Sequence, residues 1–139
     1  MTSRRVRIWL ALLFMASGCG GPRPTAVTGT VSLSGRPLSG GVVTLVPSLG
    51  SKPGRPVVSV IREDGTFSVQ REDGGVLPGR YDVAVTYWEP PTDTLRSQDI
   101  AVPLGVSKIP LRYGDHRKSG LSVTIPRTVS HAIAIELFD

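Results

Sequence analysis

The chain has 139 residues, with sixteen Gly, twelve Pro and 40% hydrophobic side chains. That balance suits a single all-β domain with many turns better than a helical bundle. The net charge of +5 is concentrated at the start: Arg4, Arg5 and Arg7 are three of sixteen basic residues, leaving thirteen against eleven acidic ones, or +2. Those thirteen are scattered rather than gathered into a basic stripe, which argues against a nucleic-acid surface.

The three arginines precede Ile8 to Met15 (IWLALLFM), an apolar run followed by Ala16, Ser17 and Gly18. A positive stretch, a short apolar stretch and small residues make a secretory signal peptide over residues 1–18, expected as a signal helix too short to span a bilayer. Arg4-Arg5 after Ser3 matches part of a twin-arginine signal, so both export routes stay open. Cys19 is the only cysteine, without a partner for a disulfide in an exported chain.

Ala16-Ser17-Gly18-Cys19 resembles the bacterial lipobox, with Ala16 where Leu is commonest. The resemblance implies cleavage before Cys19, a diacylglyceryl group on its thiol and an acylated new N-terminus. Such a protein is held at the membrane of the cell envelope by lipid on Cys19. Each buried methylene contributes about 0.8 kcal/mol, and two or more chains hold stably where one binds reversibly. Residues 19–25, with Gly20, Gly21, Pro22, Arg23 and Pro24, then form a lipidated tether that keeps the domain off the lipid. Gly20 in place of Asp implies the outer rather than the inner membrane, where the cell has two.

From residue 26 to 139 the pattern is of strands. In VTGTVSL, Val27, Gly29, Val31 and Leu33 share one face and Thr28, Thr30 and Ser32 the other. Gly35-Arg36-Pro37 reads as a turn. Strands are expected over 42–47 (VVTLVP), 56–61 (PVVSVI) and 66–70 (TFSVQ), the last two joined as a hairpin through Arg62-Glu63-Asp64-Gly65. Pro78-Gly79 reads as a type II turn leading into RYDVAVTYW, where Tyr81, Val83, Val85 and Tyr87 share a face. Tyr81 is read as structural, its ring closing the core and its hydroxyl reaching nearby backbone, as a tyrosine corner does. Later strands are Lys108 to Leu111, Leu121 to Ile125 and His131 to Phe138. Seven or eight short strands predict an all-β fold, a single antiparallel β-sandwich.

In order, VTGTVSLSGRPLSGGVVTLVP, EDGTFSV and LPGRYDVAV resemble the carboxypeptidase regulatory-like, or transthyretin-like, sandwich, whose pattern is V-x-G-x-V … G-x-P-L-x-G-x-V-x-L … D-G-x-F … P-G-x-Y-x-V-x-V. The tail IPLRYGDHRKSGLSVTIP is similar to a bacterial lipoprotein subgroup with this domain, departing from it at Leu111-Arg112 and Lys118. The resemblance covers residues 26–138. It implies a small accessory or binding module.

Catalytic chemistry has few candidates. His116 and His131 are far apart in sequence, and no G-x-S-x-G presents a serine. Cys19 is committed to lipid, and a zinc site would need about four N or S ligands or a His-rich triad. Arg-Glu-Asp-Gly occurs at 62–65 and again at 71–74, but two acidic pairs flanking a strand lack the alternating ligand spacing of a calcium loop. One branch of the transthyretin-like fold hydrolyses 5-hydroxyisourate and ends in Tyr-Arg-Gly-Ser; this chain ends Glu136-Leu137-Phe138-Asp139. No enzyme activity, metal or cofactor is expected.

A long connection follows Tyr87-Trp88-Glu89-Pro90-Pro91 and runs to about Lys108. Such loops often carry function. Tyr87 and Trp88 are the candidate ligand-binding residues: an exposed indole could stack on a sugar ring. The plainer alternative has Trp88 capping the core. The expected function is therefore a non-catalytic structural or protein-interaction module, with envelope proteins or glycans as partners, and a glycan-binding lipoprotein as the second reading.

Overall fold

The structure is a computed structural model that describes residues 20–50, 54–89 and 105–139. The expected signal peptide, Cys19 and most of the loop after Glu89 lie outside the described residues.

The elements are strands β1 (Ala26–Leu33), β2 (Arg36–Pro37), β3 (Val42–Pro47), β4 (Val57–Val60), β5 (Thr66–Val69), β6 (Gly79–Thr86), β7 (Trp88–Glu89) and β8 (Val106–Ser107). A short 3-10 helix (Leu111–Gly114), β9 (Ser122–Ile125) and β10 (Ser130–Leu137) complete the chain. Two sheets pack face to face as an all-β sandwich. In the first, β10 lies along one edge of β1, while β5 and β2 share the other. The second runs β4-β3-β6-β9, antiparallel throughout. Seven of the strands among the described residues have four or more residues, in line with the expected seven or eight.

Period two decides what is buried. Val27, Val31, Phe67, Ile135 and Leu137 from the first sheet meet Val43, Leu45, Val83, Val85 and Ile125 from the second. Burying a Val, Leu, Ile or Phe side chain fully contributes about 1.5–3 kcal/mol, so this layer supplies the main driving force. Leu38, Ile61, Val76, Ile109 and Tyr113 are also buried in the cluster. Gly29 belongs to the inward face because the Phe67 ring occupies the space beside it: an added Cβ would stand 2.4 Å from that ring.

Several local expectations need correction. The sandwich is not antiparallel throughout: β1 and β10 run parallel, in register from Ala26↔Ser130 to Leu33↔Leu137. The Arg62–Gly65 turn forms, with Gly65 at φ 82 and its N–H donating to Arg62 O at 2.9 Å. Yet β4 pairs with β3 and β5 with β1, so the turn passes from one sheet to the other instead of closing a hairpin. The first turn centres on Ser34 (φ 48) and Gly35 (φ 80), while Arg36 and Pro37 already pair with β1. Gly79 has φ 153 and opens β6, so it is not the left-handed corner of a type II turn. Lys108–Leu111 is not a strand. β8 ends at Ser107, Pro110 lacks an N–H for a ladder, and the 3-10 helix begins at Leu111.

The sandwich has two distinct ends. β1 and β10 start together, and Thr25, one residue before the expected start of the domain, bridges Val76. The Thr25 hydroxyl is directed at the carbonyls of Thr128 (2.8 Å) and Pro126 (3.1 Å), so it ties the chain entry to the β9–β10 connection. The entry segment, residues 70–78 and residues 126–129 therefore share one end. The turns at 34–35 and 62–65, the β7–β8 ribbon and the C-terminus share the other.

Candidate functional site

The expected ligand-binding pair lies where β6 leaves the sandwich. Tyr87 follows β6 directly, and β7 pairs antiparallel with β8 through Trp88↔Ser107 and Glu89↔Val106. Side chains opposite each other in such a ladder share a face. Trp88 therefore stands beside Ser107, and Glu89 beside Val106.

The structure separates Tyr87 from Trp88. Tyr87 is half-buried, its ring lying over Gly40, where an added Cβ would stand 3.1 Å away. Its hydroxyl is 3.5 Å from Ser39 Oγ. Trp88 is 54% exposed, which overturns the alternative in which it caps the core. An indole this accessible can stack on a ring or an apolar side chain. Tyr87 serves as the foundation of the ribbon; Trp88 is its available surface.

Two features hold the ribbon, and the sequence reading identified neither. Lys108 donates its backbone N–H to Tyr87 O at 2.9 Å, and its ammonium meets Glu89 Oε2 at 2.6 Å. The Glu89 carboxylate, by hydrogen bond and by charge, holds the Lys108 pKa above its ordinary value. Both side chains are nearly half exposed, so solvent screens the pair and it adds little beyond fixing the ribbon's register. Gly105 is the second feature: a Cβ there would stand 2.7 Å from Glu89 O, so only glycine allows the strands to close. Opposite charges at the two ends of the loop, Glu89 and Lys108, were the signal available in the sequence.

The remaining candidates do not converge. His131 lies at the start of β10, beside the chain entry, while His116 follows the 3-10 helix toward the opposite end. Glu63 and Asp64 sit in the turn between the sheets, and Glu72 and Asp73 in the turn at the entry end. Among the described residues no group of three or more His, Cys, Asp or Glu is gathered as metal ligands. Tyr81 behaves as a structural residue: it is buried, its hydroxyl donates to Leu77 O at 2.8 Å, and burial pushes its pKa up. Beside it Arg80 is exposed, while Asp82 is half-buried and accepts a bond from Ser48 Oγ at 2.8 Å.

No protein-family model matches the chain, and no curated protein sequence matches it. Two solved structures align with 83% of its length. One is the major pilin subunit of Bacillus cereus, at 18% identity and a TM-score of 0.43. The other is a DUF3823 family protein from Parabacteroides merdae, at 17% identity and a TM-score of 0.40. The chain spans 30% and 45% of those two chains.

Proposed function

We propose that this chain is a non-catalytic, lipid-anchored protein of the cell envelope, a structural or protein-interaction module on a carboxypeptidase regulatory-like sandwich. The observation that carries this reading is the opposition of the two ends. The chain enters beside Thr25 and Val76, and the Trp88 ribbon stands at the other end. An acylated Cys19 would hold the entry end at the membrane and turn the ribbon toward whatever approaches. The separation of His116 and His131 supports a non-catalytic role, and the order of the sequence motifs supports the family. Gly20 supports the outer membrane in a cell with two.

The test is mass spectrometry of the membrane fraction, which should yield an N-terminal peptide beginning at Cys19 with acyl mass added. Cys19→Ser should release the domain or leave the leader uncut. A soluble protein with a free thiol would end the lipoprotein reading.

A second reading, glycan binding, is favoured by the exposure of Trp88 beside the polar Ser107. On a glycan array, binding that disappears in Trp88→Ala establishes it; no binding to any glycan removes it.

A further inference from the structure

The entry end carries a cleft of about 760 Å³ with Arg23, Arg71 and Arg127 in its walls, together with Pro22, Leu77 and Pro78. Among the described residues no acidic one lines it; Glu72 and Asp73, in the same turn as Arg71, are not among its walls. Among the described residues Arg23, Arg71 and Arg127 form no ion pair, and both ion pairs, Lys108–Glu89 and Lys118–Asp115, belong to the opposite end. The same end exposes apolar side chains: Val129, in the cleft wall, is 71% exposed, and Leu49, just after β3, is wholly so. Gly20 to Pro24 form part of the cleft wall. Even fully extended, those five residues reach only about 17 Å.

Guanidinium groups take phosphate oxygens bidentately, and exposed aliphatic side chains beside them can enter the headgroup boundary. We infer that this arginine cleft seats on an anionic phospholipid surface, a lipid phosphate lying between Arg71 and Arg127 beside the exposed Val129 of the cleft wall. The inference rests on acylation of Cys19, which would deliver the cleft to the bilayer. The lipid anchor then supplies retention, while the cleft sets the orientation and keeps the Trp88 ribbon directed outward.

The core lies wholly between Thr25 and Leu137, so a chain starting at Gly20 retains all of it. That chain, N-terminally acetylated to avoid an added charge, should co-sediment with vesicles of phosphatidylcholine plus phosphatidylglycerol and not with phosphatidylcholine alone. Arg71→Gln and Arg127→Gln should each lower the partition about fivefold, the worth of one basic residue near an anionic surface. Added salt should weaken binding further, since screening sets in within about 10 Å at 0.1 M. Arg36→Gln, at the opposite end, should change nothing. Equal sedimentation with both vesicle types, none with either, or an equal loss in Arg36→Gln overturns the inference. So does a response to inorganic phosphate without vesicle binding, which would mark a free-anion site. The mass of the Cys19 peptide decides the anchor separately: vesicle binding without acylation overturns only the lipoprotein reading, and acylation without vesicle binding only this one.

Discussion

The Tyr113 hydroxyl holds both backbone groups of Phe138: it accepts the Phe138 N–H at 2.9 Å and donates to the Phe138 carbonyl at 3.1 Å. Arg112 donates to the same hydroxyl at 3.0 Å and to the same carbonyl at 2.8 Å, which holds the Tyr113 pKa below its ordinary value. One ring, buried in the core, thus fastens the segment between β8 and β9 to the end of β10. Removing only the hydroxyl, by Tyr113→Phe, should cost about 1 kcal/mol, because the Phe138 carbonyl keeps Arg112. Tyr113→Ala should cost about 3–5 kcal/mol through the cavity. Denaturant unfolding checks both values, and equal losses would mean that the ring carries none of the stability.

Tyr81→Phe breaks the bond to Leu77 O at the other end of the sandwich. A loss of about 1 kcal/mol is expected, with no effect on any ligand of the Trp88 ribbon. Abolished binding at an unchanged melting temperature would make Tyr81 a functional group.

Gly29→Ala should destabilise by about 1–3 kcal/mol, since its methyl group would meet the buried Phe67 ring and force it from its place. Phe67→Leu in the same chain should recover part of the loss. Additive costs in the double variant would show that the ring is not what excludes a side chain at position 29.

Asp64 accepts bonds from Thr66 Oγ1 at 2.6 Å and Thr66 N–H at 3.0 Å, which hold its carboxyl below the ordinary carboxylate range. A depressed folded-state value means that the stabilisation is complete above the ordinary range and is lost as pH falls through the depressed one. Thr66→Val removes the hydroxyl and keeps the shape. NMR titration should then find Asp64 shifted up toward its ordinary value, with a smaller loss of stability in acid. An unchanged titration would show that the hydroxyl bond does not form.

The alternation of side chains in β1 and β6 was sufficient to identify those strands and, for Val27, Val31, Val83 and Val85, the face that is buried. Strand geometry makes this a local property: successive side chains point to opposite faces whatever the partner. Tyr81 was legible for the same reason. Partner choice is not local. That β10 lies parallel to β1, that the Asp64-Gly65 turn joins two sheets, and that Tyr113 closes the top while Pro110 ends a would-be strand were settled only by closure of the whole sandwich. The exposure of Trp88 depended on the pairing of β7 with β8 across a long loop. Arg23, Arg71 and Arg127, scattered through the sequence, meet in one cleft because the chain entry, the β5–β6 connection and the β9–β10 connection end on the same side of the sandwich. Long-range pairing brings such groups together, and no local preference encodes it.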